Sequence, residues 1–191
     1  MTTDNDLNLT PTGMPQSSSL TGMTSSSALG TPAGIYAEGR DAEDLNADAI
    51  DTLNDLLEIC CDGEYGFREC AEHTKALDVK TVLNQRASEC RFAATELQAM
   101  IKQMGSEPKE GGTVSAALHR GWVSVKGTLS GYSDYDMLDE CERAEDVALG
   151  QYRKALKQSL PASAMALVEK QSQGVQRNHD QIKAMRDGLK T

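Results

Sequence analysis

The stretch ADAIDTLNDLLEICCDGEYGFRECAEHTK, residues 47–75, places Ile50, Leu53, Leu57, Cys60, Phe67 and Ala71 at the three-and-four spacing of one helical face. Glu64 falls on that apolar stripe. An ionised carboxylate without a partner is costly to bury, so an inward Glu implies something that stabilises it. Gly63 and Gly66 each cost roughly 1 kcal/mol relative to Ala inside a helix. Their presence predicts either close packing against a neighbour or a local bulge of the kind found beside functional sites.

The same period continues on both sides of a short connection. Asp78 is placed to cap a second helix, to about Met104, with Leu83, Ala87, Cys90, Ala94, Leu97 and Ile101 inward and Gly105 and Pro108 ending it. The short link makes these two helices antiparallel neighbours. Glu89 and Glu96 lie along the edge of the second stripe. After the break at Gly111 and Gly112, Thr113 caps a shorter helix, 114–129, which carries Leu118, His119, Trp122 and Val125; Trp122 reads as its apolar anchor. Ser133 or Asp134 opens a long helix to about Lys157, with Leu138, Cys141, Ala148, Tyr152 and Ala155 inward, Glu145 in the same row and Glu142 a turn away. Pro161 then falls in the first turn of a last helix to about Leu189, whose stripe is Val168, Ser172, Val175, His179, Ile182 and Met185. Hairpin, long crossover with a short helix, hairpin: the predicted fold is all-α, a ferritin-like four-helix bundle.

Composition agrees with a soluble, helix-rich chain of 191 residues, 39% hydrophobic and 4% aromatic. Residues 1–45, rich in Ser, Thr, Gly and Pro, are expected to form a disordered tail and residues 46–190 the bundle domain. The net charge of -10 argues against a nucleic-acid surface and against anionic membranes. No stretch is apolar for long enough to cross a bilayer, and the acidic N-terminus is unlike a secretory signal, so a cytoplasmic location is expected. Five cysteines, all within helical patterns, do not form a disulfide framework or zinc site, and most of them read as small buried hydrophobes. Phosphate loops, nucleophile elbows and thiol-protease spacings are missing from the sequence.

Asp62-Gly63, Gly66-Phe67-Arg68, Glu96-Leu97-Gln98, Ala117-Leu118-His119-Arg120-Gly121-Trp122 and Glu140-Cys141-Glu142-Arg143-Ala144-Glu145-Asp146 resemble a bacterial family of unknown function within the ferritin-like superfamily. The resemblance spans roughly Ala47 to Leu189. Ferritin-like metal proteins place one Glu on each of two helices and a Glu-x-x-His on each of the other two, so that carboxylates bridge two ions. By that resemblance Glu64 corresponds to a first-helix Glu, Glu142 or Glu145 to the carboxylate of the later segment, and His179 to a terminal His. The motifs themselves depart from the pattern, since Gln176 precedes His179 by three and Ala99 follows Glu96 by three.

Two functions follow as expectations. In the first, Glu64, Glu96, Glu142, Glu145 and His179 ligate a di-iron or di-manganese centre for metal handling or oxidative-stress defence. In the second, the bundle is a metal-free, stress-associated interaction or structural protein, its polar core built from Glu-Arg pairs involving Arg68, Arg86 or Arg143. A binding role is expected ahead of a catalytic one. Homo-oligomerisation suits either.

Overall fold

A computed structural model describes residues 41–109 and 131–190, which lie within the second of two units into which the chain divides, Gly39–Thr191. The crossover helix expected over 114–129, with His119 and Trp122, and residues 1–40 of the tail expected over 1–45 lie outside the described residues, while the tail's last four positions, 42–45, are helical. Four helices make up the described part: α1 Ala42–His73, α2 Leu77–Gln103, α3 Asp134–Ala155 and α4 Ala162–Gly188. The fold is a ferritin-like four-helix bundle. α1 packs most closely on α2 and α3 on α4, as the hairpin reading predicts, and α1 also packs on α3 and α2 on α4, less extensively.

The helix ends explain why these segments stop where they do. α1 starts at Ala42, earlier than the expected residue 47, with Glu43 and Asp44 in its first turn complementing the helix dipole. It ends where the Thr74 hydroxyl and N–H both donate to Cys70 O. The turn into α2 is fastened from outside: the Asp134 carboxylate, at the start of α3, accepts from Lys75 N at 2.8 Å and Ala76 N at 3.0 Å. α2 closes in a Schellman motif, with Gly105 at φ 85° and Ser106 N donating to Ile101 O. Ser133 and Asp136 form a capping box at the start of α3. Pro161 sits at the N-cap of α4, one residue ahead of its expected place in the first turn.

Two apolar clusters stack along the bundle. Phe67, Cys70, Val79, Leu83, Met137, Leu138 and Ile182 form one; Leu53, Leu57, Leu97, Ile101, Tyr152 and Val168 form the other. Between them α1 runs on as an uninterrupted helix, so Gly63 serves close packing and not a bulge. A Cβ built on Gly63 would stand 3.0 Å from Cys90 Sγ on α2.

Candidate functional site

Of the carboxylates expected to point inward, Glu145 is the one carried deepest. It is 4% exposed and borders a cavity of about 40 Å³ between the two apolar clusters, shared with Cys60 and Gly63 of α1, Cys90 of α2, Tyr152 of α3 and Asn178 of α4. Burial pushes its pKa up to about 8; the Arg86 guanidinium pulls the other way and Glu89 adds to the rise. Glu145 is therefore largely neutral at pH 7. Among the described residues no ion pair reaches it.

Beside this cavity a hydrogen-bonded chain crosses all four helices. The Tyr152 hydroxyl donates to Gln171 Oε1 at 2.9 Å, which leaves its oxygen to accept from the Cys60 thiol at 3.4 Å. Gln171 Nε2 donates to Ala93 O and to Glu96 Oε2, and Lys170 Nζ holds the other Glu96 oxygen at 2.6 Å. Burial raises Cys60 to about 12 and drives Cys90 and Tyr152 well above their usual values, so these groups remain protonated.

A second polar cluster fills the seam between α3 and α4. Glu142, 7% exposed, pairs through Oε2 with Arg186, which also reaches Asp139 at 3.3 Å. His179, 9% exposed, meets Asp180 Oδ1 through Nδ1 at 3.1 Å. Its Nε2 lies 3.2 Å from Asp146 Oδ1 and 3.9 Å from Glu142 Oε1. The hydrogen bond from His179 holds the Asp180 carboxyl below its usual range, helped by Gln176.

Glu64 does not enter the core. From Cys60 the buried path of α1 passes through Gly63 to Phe67, which turns Glu64 to the α1–α2 edge, half-buried against Arg68 and 4.0 Å from Arg91. Glu89 pairs with the buried Arg86 at 2.6 Å and accepts from Asn178 on α4. Thus the structure brings Glu142 and His179 together, sets Glu145 in the cavity, and ties Glu64 and Glu96 to cations elsewhere. Among the described residues no three or more His, Cys, Asp or Glu side chains are grouped so as to hold a metal ion. The residues present do not fit a carboxylate-bridged two-metal centre: four of the five expected ligands already have protein partners, and the fifth is neutral.

Of the arginines expected to neutralise the inward acids, Arg68 and Arg86 take Glu64 and Glu89, whereas Arg143 turns outward to Asp139 and Glu140. The cation on Glu142 is Arg186, which the sequence reading missed. Its signal was present, since Arg186 follows His179 by seven residues and so lies along the same line of α4. Asp146 and Asp180, beside His179, were missed because exposed acids on a helix carry no distinguishing spacing.

No helix among the described residues is long and apolar enough to cross a membrane. A family described as a domain of unknown function, DUF2383, matches residues 48–158. The match takes in Glu64, Glu96, Glu142 and Glu145 and stops short of α4 and His179. No curated protein matches the sequence. Among solved structures, a tetragonal form of Mycobacterium smegmatis Dps is similar at 14% identity and a TM-score of 0.61, over 77% of this chain and 90% of that one. A mutant of Mycobacterium smegmatis Dps1 is similar at 14% identity and a TM-score of 0.60, over 76% of this chain and 99% of that one. Likeness at this identity establishes the fold alone.

Proposed function

The chain belongs to the DUF2383 family, and from that ferritin-like bundle we propose a non-catalytic interaction or structural protein whose stability does not depend on iron or manganese. One observation carries the reading: the acids that ferritin-like chemistry would spend on metal are neutralised by the protein's own cations. Arg68 holds Glu64, Lys170 holds Glu96, Arg186 holds Glu142, and burial holds Glu145 neutral. Each pair joins two turns or two helices, so the polar groups act as fasteners of the bundle. Self-association belongs to this reading, with the apolar bodies of Leu77 and Phe92 on α2 left in solvent.

The test is elemental analysis of protein purified without metal-affinity steps, beside light scattering for the oligomeric state. The reading expects far less than one equivalent of iron or manganese per chain and a mass unchanged by chelator. Near-stoichiometric metal, lost in a Glu142→Ala, His179→Ala variant that remains folded, would overturn it.

A competing reading has one observation in its favour. Asp146 and Glu142 converge on His179 Nε2 while Asp180 holds Nδ1, the arrangement by which a carboxylate orients an imidazole towards a metal. Iron or manganese handling, or oxidative-stress defence, would use that corner and would require Arg186 to release Glu142.

A further inference from the structure

The central cavity is bordered by two thiols, Cys60, which donates to the Tyr152 oxygen, and Cys90. Cys60 and Gly63 lie one turn apart on the same face of α1. The missing side chain at Gly63 admits the Cys90 sulfur, which would stand 3.0 Å from a Cβ there, so the two thiols border one space across the α1–α2 contact. Glu145 and Tyr152 line the same space. Its volume, about 40 Å³, exceeds what one water needs and suits a bare ion rather than an organic molecule. Ala144, Ala148, Val175 and Asn178, all half-buried, line it on the α3–α4 side.

We propose that Cys60 and Cys90 bind one soft monovalent cation, copper(I), as a two-coordinate bis-thiolate with the Glu145 carboxyl as its neighbour. Soft thiolate donors select copper(I), whereas the oxygen-preferring ions would find a single carboxyl in this space. Two donors suffice for such an ion, so the site needs no third ligand. The step balances without electron transfer: one copper(I) ion and two thiols give a bis-thiolate of charge −1 and release two protons. Ligation displaces both thiol protons, so uptake should strengthen as pH rises.

The experiment is an anaerobic titration of the reduced full-length chain with copper(I), read by ultraviolet thiolate-to-copper charge transfer and by native mass. One ion per chain is expected. Binding should survive Cys61→Ser, at an exposed thiol, and Cys141→Ala, at a buried thiol outside the cavity, and should be lost in Cys60→Ser and in Cys90→Ser. Gly63→Ala keeps both thiols and displaces the Cys90 sulfur, so it should weaken binding while circular dichroism reports an intact helix content. No uptake by the native chain, one ion retained by folded Cys60→Ser or Cys90→Ser, or loss in Cys61→Ser would each overturn the site. Should the cysteine variants unfold, an unchanged affinity in Gly63→Ala overturns it instead.

Discussion

Replacing Glu145 by Gln should stabilise the protein at neutral pH, although it alters a carboxyl that the fold places at its centre. The folded pKa is about 8 against an ordinary value of 4.5. A raised folded pKa means that the stability is fully present below pH 4.5 and is lost progressively as pH rises towards 8, because the unfolded chain ionises Glu145 freely and the folded one does not. At pH 7 that loss amounts to about 3 kcal/mol, from two and a half pH units at roughly 1.4 kcal/mol each. Gln keeps the shape and the lack of charge, so Glu145→Gln removes the loss and leaves the packing in place. Urea unfolding of both proteins between pH 4.5 and 8.5 measures it, and taking the difference between them cancels the titration of every other group. The gap should be near zero at pH 4.5 and approach about 3 kcal/mol at pH 7, equivalent to roughly 6–12 °C in Tm for a domain of this size. Parallel stability curves, or a variant that is weaker at pH 7, would refute a buried neutral Glu145.

Three further outcomes follow from the packing. Gly150→Ala, where a Cβ would meet nothing within 4 Å, should gain about 0.5–1 kcal/mol of helix propensity; Gly63→Ala should forfeit that gain, because its Cβ would crowd Cys90 Sγ, and thermal melts compare the two. Arg186→Met leaves Glu142 buried without its cation and should cost about 1–3 kcal/mol, most of which Glu142→Gln restores in the double variant, as a double-mutant cycle would read. Tyr152→Phe strips Gln171 Oε1 of its donor and should cost about 1 kcal/mol in denaturant unfolding, with no change in helix content.

The bundle was legible because its signal is redundant. Stripes such as Leu83, Leu97 and Ile101 on α2, or Val168 and Ile182 on α4, each repeat the helical period, and all five of these residues are buried. Caps at Ser133 and Gly105 fell where their chemistry placed them. The site was less legible because a single acid can sit within an apolar row yet be rotated out of it. Glu64 and Glu145 look alike in sequence, but Glu64, one residue past Gly63, is rotated to an edge with two arginines, while α3 keeps Glu145 inside. Nor does local spacing reveal partners from another helix: Arg186 for Glu142, Lys170 for Glu96, Cys90 for Gly63. Those pairings depend on how the helices dock, within each hairpin for Arg186 and Cys90 and between the hairpins for Lys170.

The most direct test of charge balance without iron or manganese is the melting temperature of the metal-stripped full chain, recorded as manganese(II) or anaerobic iron(II) is added. A ligand at about 100 times its Kd stabilises the folded state by roughly 2.7 kcal/mol, several degrees in Tm here. The account predicts a flat melting temperature throughout. A saturable rise, abolished by His179→Ala in a folded variant, would contradict it and place metal at the α3–α4 seam.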